Sequence, residues 1–372
     1  MREHRCFLQL TVFLTVVLLT NHLHCGTAWA DEQLNLTANS AVLMDYSTGS
    51  VLYSHNATKP LPPASTTKIM TGLLSLEIGD GEERVVIDEY SAMMEGTSLY
   101  LKAGQILTLY DLTKGALINS GNDAASAIAV HIAGSEQLFG DLMTFKARTI
   151  GCGSRSRFYN PHGLPQEGHA ISAYDLAVIT RYAMQNKDFR RIVGTRSGSV
   201  RDLSEGELFP LYNTNRLLGY KKDGLEIIGV KTGTTDEAGE CLVAAAKYKS
   251  SLLISVVLGS SARYDDTLKL FEYGRDNCCC IDLKKGTPIF QVPVWRGSAS
   301  SLAVGPCRDV SLMVSPGQMP LLERKVYLKP YVKAPCSKGD RVGKMEVMLG
   351  NQLLCSIELM ALEDVKRVFW WN

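Results

Sequence analysis

The stretch Pro62-Pro63-Ala64-Ser65-Thr66-Thr67-Lys68-Ile69-Met70-Thr71-Gly72-Leu73-Leu74-Ser75-Leu76-Glu77-Ile78-Gly79 decides how the chain is read. Two prolines stiffen its approach. From Ser65 onward the spacing predicts a helix, with Ile69, Leu73 and Leu76 on one face and Gly79 as its stop. Ser65 and Lys68 stand three apart, so on that helix they share a face, one turn from each other. At the helix start, the positive end of the dipole helps Ser65 carry negative charge. Lys68 in the first turn is poorly placed for helix stability, and a broken local rule points to function.

Two further motifs follow: Ser120-Gly121-Asn122 and Lys231-Thr232-Gly233-Thr234. With Ser65 and Lys68 they supply a nucleophile, a base, a bridging hydroxyl and amide, and a second cation with backbone donors. An acyl-transfer site that uses lysine in place of histidine needs those parts. To act as a base, Lys68 must have its pKa lowered from ~10.4 to roughly 7. Burial, the dipole and a second cation can do this, and Lys231 is the candidate cation. Each motif alone is weak evidence: Ser-x-x-Lys is expected about once by chance in such a chain. All three in this order, on a helix, a loop and a strand, are not a chance pattern.

The surrounding pattern mixes helices and strands. Ala41–Asp45 and Val51–Tyr53 flank the turn residues Ser47-Thr48-Gly49-Ser50 and read as a β-hairpin. Leu112–Ala133 is a helical stretch broken at Ser120-Gly121-Asn122. Ser172-Ala173-Tyr174-Asp175 predicts a helix opened by a reciprocal capping box. Ile227–Val230, Cys241–Ala246 and Leu252–Leu258 are apolar, β-rich runs expected to lie side by side, antiparallel, in a buried sheet. Arg263–Asn277 reads as one more helix. From Asp282 onward, short strands at 288–292, 310–314, 325–328 and 344–347 suggest a small all-β domain.

At the amino terminus, Arg2 and Arg5 precede the apolar run Phe7–Thr20, and Ala28-Trp29-Ala30 offers a cleavage site. That is the layout of a secretory signal peptide, and the run is shorter than the ~20 residues of a membrane span. The protein is therefore expected to be exported, to the periplasmic or extracellular face. Without residues 1–30 the chain has 37 basic and 37 acidic side chains, which argues against a polyanion or nucleic-acid binder. Eight cysteines remain, with no Cys-x-x-Cys pair, so a zinc ribbon or thioredoxin-type motif is not expected. Disulfides and reduced thiols are both open. No histidine pair has metal-ligand spacing, and no metal or cofactor is expected. His131 reads as a helix-surface residue and His169 as a loop residue, while Asn160, Pro161 and His162 read as loop architecture.

At Pro63–Thr71, Ile118–Ala124, Phe158–Leu164 and Gly229–Thr235 the chain resembles the low-molecular-weight penicillin-binding proteins, serine-type D-alanyl-D-alanine carboxypeptidases. Ala334–Asp340 is similar to part of the β-rich domain these enzymes carry. The resemblance implies an α+β fold. A penicillin-recognising serine transpeptidase-like domain, an antiparallel sheet flanked by helices plus a helical subdomain, precedes a small all-β domain. It implies that Ser65 forms the acyl-enzyme, Lys68 takes its proton, and Ser120 relays a proton to the leaving D-alanine. Asn122 holds the peptide and steadies Lys68. Lys231, Thr232, Gly233 and Thr234 form the subsite for the substrate's terminal carboxylate, and the N–H groups of Ser65 and Thr234 form the oxyanion hole. The implied partners are peptidoglycan stem peptides ending in D-Ala-D-Ala and, as covalent inhibitors, β-lactams. The expected organisation is a signal peptide at 1–30, a catalytic domain at 31–277, a β-rich domain at 278–361 and a short amphipathic tail at 362–372.

Two alternatives stand beside this reading. A class A β-lactamase uses the same nucleophile and lysine, but Gly121 stands where aspartate is usual, no Glu-x-x-Leu-Asn follows, and a β-rich extension has no role there. A non-catalytic wall-binding or antibiotic-sensing module would have a broken motif, and here every reactive position is filled. A histidine-based serine hydrolase is a weaker reading, because the chain has no Gly-x-Ser-x-Gly elbow. In the tail, Phe369-Trp370-Trp371 are interfacial residues, and weak peripheral membrane contact through them is expected.

Overall fold

The computed structural model describes residues 34–368. The expected signal peptide and the tail residues Phe369-Trp370-Trp371 lie outside them.

The apolar runs recognised in the sequence form one six-stranded sheet. Its strands are β1 (Ser40–Asp45), β2 (Val51–His55), β3 (Lys221–Lys222), β4 (Leu225–Thr235), β5 (Gly239–Tyr248) and β6 (Ser251–Ser260), in the order β2-β1-β6-β5-β4-β3. Every neighbour is antiparallel. Alternate residues enter two different cores: Val42, Val243 and Val256 face one, while Ala41, Leu242 and Val257 face the other. Burial of both faces is the reason the strands read as continuous apolar runs, a pattern more usual in parallel sheets.

The helices that position the site pack into the first core: α1 (Lys68–Ile78), α2 (Leu109–Ile118), α3 (Asn122–Ala133), α4 (Glu136–Thr149) and α5 (Ala173–Ala183). They contribute Ile69 and Leu73, Leu112, Ile128, Phe139 and Leu176 respectively. The helix α6 (Arg263–Asn277) covers the other face with Leu270 and Phe271. A single 3-10 turn, Ala64–Thr67, leads into α1. The expected break at Ser120-Gly121-Asn122 separates α2 from α3.

The capping box expected at Ser172 is only half present. Ser172 Oγ accepts from Asp175 N–H at 3.1 Å. The Asp175 carboxylate instead turns to Gly153 N–H and Ser156 Oγ, and Ser172 N–H donates to Ser156 Oγ. A neighbouring loop has captured the carboxylate, which no local spacing could announce.

Eight strands make the second half: β7 (Cys279–Leu283), β8 (Phe290–Trp295), β9 (Ser301–Pro306), β10 (Val310–Val314), β11 (Leu322–Leu328), β12 (Val332–Lys333), β13 (Arg341–Leu349) and β14 (Gln352–Ala361). Six form a sheet in the order β11-β13-β14-β9-β8-β12, and β7 pairs with β10. Val304, Leu312, Met345 and Ile357 lie in a core of its own. Ser251 Oγ meets Ser311 Oγ at 2.7 Å, and Gln318 Nε2 donates to Val51 O, tying the halves together. All eight cysteines of the described residues are free thiols.

Residues 362–368 of the expected tail form no helix. They run extended against the β-domain: Val365 exchanges hydrogen bonds with Cys336, and Val368 N–H donates to Arg296 O. Bridges to Cys336 and Gly297 satisfy this backbone better than an isolated short helix in water could.

Candidate active site

Ser65 lies in the 3-10 turn and Lys68 is the first residue of α1, so the two share one face. Lys68 Nζ is 3.0 Å from Ser65 Oγ, 2.6 Å from Asn122 Oδ1 and 2.9 Å from His162 O. Those last two atoms can only accept. A neutral amine has two N–H donors and one lone pair. In that form, with both donors spent on Asn122 and His162, the lone pair faces the Ser65 hydroxyl. The Asn122 amide is oriented by its other end, where Nδ2 donates to Glu95 O at 2.6 Å.

Lys68 is fully buried, and burial holds its pKa well below the usual lysine range. The nearby Lys231 charge pushes the same way, while Asp123 opposes it. Asp123 is occupied by the N–H groups of Leu99 and Leu101 and by Ser98 Oγ, so it serves first to fold the 98–101 loop.

Lys231 is also buried on β4, with Nζ donating to Thr232 O at 3.0 Å. Burial lowers its pKa to about 7, and the Arg263 charge adds to the effect. Thr232 Oγ1 lies 2.5 Å from Thr214 Oγ1. Thr234 is exposed, at the open end of the strand. Gly233 is where β4 passes the nucleophile: a Cβ there would stand 2.9 Å from Ser65 N and 3.0 Å from Pro63 O. Glycine lets the strand run against the 3-10 turn, bringing the Ser65 and Thr234 backbone into one neighbourhood.

Ser120 is buried between α2 and α3 with φ +66, and Ala64 next to the nucleophile has φ +47. Both are left-handed positions occupied by residues with a Cβ. Such outliers cost about 1–3 kcal/mol each and gather at functional sites. Ser65, Lys68 and Asn122 are thus joined by direct hydrogen bonds. Lys231, Thr232, Gly233 and Thr234 line the adjoining strand, and Ser120 stands at the turn that delivers Asn122.

Two participants escaped the sequence reading. Arg263, at the start of α6, donates to Gly233 O at 2.9 Å and to Thr234 Oγ1 at 2.6 Å. No motif links it to β4; only the sheet register brings it there. The second is the loop at 158–164, read as architecture. It is architecture, yet its His162 carbonyl holds Lys68, and Pro161 O accepts from Thr71 Oγ1. His162 Nδ1 accepts from Leu164 N–H, leaving Nε2 to donate to Glu136 at 3.3 Å. Burial lowers the His162 pKa, and the Glu136 carboxylate opposes it. His169 is not merely a loop residue. It is buried, with Nδ1 accepting from Tyr159 N–H and Nε2 3.0 Å from Thr67 Oγ1, and burial pushes its pKa down to about 3. His131 sits on α3 and pairs with Glu83 at the surface. Gly163 closes the loop with φ +85, and a Cβ there would fall 1.9 Å from Ala64 O.

The chain is similar to known proteins over most of its length. The family described as D-alanyl-D-alanine carboxypeptidase (peptidase S11) matches residues 27–262, and the penicillin-binding protein 5 C-terminal domain matches 283–367. The D-alanyl-D-alanine carboxypeptidase DacF of Bacillus subtilis (strain 168) is 34% identical over 90% of this chain and 88% of its own. A peptidoglycan synthesis regulatory factor (PBP3) from Streptococcus pneumoniae superposes with a TM-score of 0.74 at 25% identity, over 90% of this chain and 100% of that one. Penicillin-binding protein D2 from Listeria monocytogenes, solved in an ampicillin-bound form, gives 0.57 at 30% identity over 65% of this chain and 99% of that one. The fold thus sets the Lys68 amine 3.0 Å from the Ser65 hydroxyl beside a strand carrying a second buried lysine, and by these matches the chain belongs to the D-alanyl-D-alanine carboxypeptidases, the low-molecular-weight penicillin-binding proteins.

Proposed function

We propose that Ser65 attacks the carbonyl carbon of the penultimate D-alanine in a peptidoglycan stem peptide and releases the terminal D-alanine. The observation that carries this is the Lys68 amine, facing Ser65 Oγ at 3.0 Å with its other two contacts restricted to acceptors. Lys68 takes the hydroxyl proton as the C–O bond forms. The tetrahedral oxyanion is received by the N–H groups of Ser65 and Thr234, donors whose loss typically costs ~10²–10³-fold in rate. Collapse breaks the C–N bond, and Ser120 passes a proton to the departing amine. Water then hydrolyses the ester. The substrate's terminal carboxylate lies against Lys231, Thr232 and Thr234, with Arg263 behind them. A carboxylate there would draw the proton back onto Lys231, so substrate binding itself charges the subsite. β-Lactams would enter as mimics of the same dipeptide and stay as esters of Ser65.

Penicillin treatment followed by intact-mass measurement tests the assignment. The wild-type protein should gain one drug mass and Ser65→Ala none; a persistent gain in the variant would place the nucleophile elsewhere.

We propose further that residues 1–30 direct export and that Phe369-Trp370-Trp371, with Lys366 and Arg367, give weak contact with an anionic membrane surface. No helix among the described residues is long and apolar enough to cross a membrane. Co-sedimentation with anionic vesicles, compared with a chain ending at Asp364, should show less pelleting for the shorter chain. Equal recovery in the supernatant would end the membrane reading.

A further inference from the structure

The β-domain carries an aromatic and cationic surface that catalysis does not use. Trp295 ends β8 and Lys333 ends β12, and parallel pairing sets them side by side in register. Tyr331, just before β12, meets the Trp295 ring edge-on at 6.4 Å between centroids. Both rings are about half exposed, at 47% and 55%. Large exposed aromatics are costly to leave in water and mark binding surfaces. The Arg296 guanidinium lies 4.5 Å from the Trp295 centroid and the Lys333 ammonium 5.5 Å, which fixes the indole in place.

Beside this pair is a cavity of about 630 Å³ lined by Lys329, Tyr331, Lys333, Cys336, Asp340 and Arg341. Its charges are unbalanced. Arg341 is paired with Glu358 at 2.9 Å, whereas Arg296, Lys329 and Lys333 have no carboxylate partner among the described residues. Asp340, the one acid in the lining, is turned to the N–H of Ser337. The volume suits a short oligosaccharide rather than a single small ion.

We propose that this groove binds the glycan strand of peptidoglycan, as a site separate from the one that cleaves the stem peptide. The inference rests on the wall-directed function proposed above. Amino sugars present apolar C–H faces that pack on aromatic rings, and their hydroxyl and acetamido groups hydrogen-bond to lysine and to the tyrosine hydroxyl. The stem peptides of the same polymer carry carboxylates, which complement Lys329, Lys333 and Arg296. Rings already held by sheet register and cation contacts lose little freedom on binding. A second foothold on a polymeric substrate raises the local concentration of stem peptides at Ser65 with no change in the chemistry there.

The test uses the exported chain, its Tyr331→Ala/Lys333→Glu variant and a Trp295→Ala variant, each checked for an unchanged thermal transition. Three readouts are needed: binding to purified insoluble peptidoglycan, D-alanine release from that polymer, and D-alanine release from a soluble tripeptide ending in D-Ala-D-Ala. Polymer binding by both variants should fall about tenfold, soluble-peptide turnover should stay within twofold, and glycan fragments lacking peptide should compete with the wild-type protein for the polymer. Undiminished polymer binding by the variants overturns the proposal. So does equal, variant-sensitive binding to heparin or to anionic vesicles, which would make the groove a general anion surface. Absent soluble-peptide turnover in the wild type would instead refute the carboxypeptidase assignment and leave the binding readout intact.

Discussion

Asn122→Asp is the sharpest test of how Lys68 is kept neutral. The change is nearly isosteric, but it replaces an amide oxygen 2.6 Å from Lys68 Nζ with a carboxylate. At that separation and an effective dielectric constant of about 20, the attraction is ~6 kcal/mol. Desolvation of the new carboxylate opposes it, and if about half survives, the ammonium form of Lys68 gains ~3 kcal/mol. The sign is fixed. A carboxylate stabilises the ammonium, so at pH 7 less of the lysine is free to accept the Ser65 proton. A proton shared between the two groups has the same consequence, because the lone pair is then occupied. Acylation by a fluorescent penicillin, followed under second-order conditions from pH 6 to 10, should be ~10²-fold slower than wild type at pH 7. It should then climb about tenfold per pH unit and approach wild type at the alkaline end. Asn122→Ala removes the same hydrogen bonds without adding charge. It should lose rate but keep the wild-type pH dependence, which separates electrostatics from lost geometry. If Asn122→Asp acylates within threefold of wild type at pH 7, or its deficit is the same at every pH, the account of a neutral Lys68 is wrong.

Other consequences concern the surroundings of the same site. Lys231, at about pH 7, is held down by burial and then by Arg263, so the free enzyme's rate constant for carboxylate-bearing substrates should fall as pH rises through that value. Arg263→Gln removes one of the two causes and should move this limb to higher pH, while a substrate with an amidated terminus shows no such limb; an unmoved limb would clear Arg263 of the role. Gly163→Ala places a methyl 1.9 Å from Ala64 O at φ +85. Left-handed strain of about 1–2 kcal/mol and overpacking of about 1–3 kcal/mol should lower the thermal transition by several degrees. Displacing the nucleophile's turn by ~1 Å should slow acylation by ~10²-fold, and an unchanged Tm with unchanged acylation would contradict the packing of this loop.

Much was legible in the sequence because it is locally encoded. The helix of Ser65 and Lys68 follows from apolar spacing and the Gly79 stop. The break between α2 and α3 follows from Ser120-Gly121-Asn122, and α6 was bounded from Arg263 to Asn277 by its pattern alone. The three central strands announced themselves by apolar β-branched runs. In the β-domain, where polar and apolar residues alternate weakly, β7, β9, β12 and β14 went unnoticed, and the strand expected at 288–292 begins at Phe290.

Tertiary structure decided what depends on residues far apart in the chain. The lowered pKa of Lys68 arises from its burial and from Lys231, 163 positions away on β4, and its amine is oriented by Asn122 and by the carbonyl of His162. A carbonyl has no side-chain signature, so no motif could have named it. Arg263 reaches Thr234 only because the β4–β5–β6 register returns the chain to the strand's open end. Asp175 turned its carboxylate from its own helix cap to a loop, and residues 362–368 run extended, bridged to Gly297 and Cys336. Sequence patterns record spacing and propensity, which act over a few residues. Desolvation, the approach of like charges and the choice of hydrogen-bond partner act through space, and they are set only when the sheet closes.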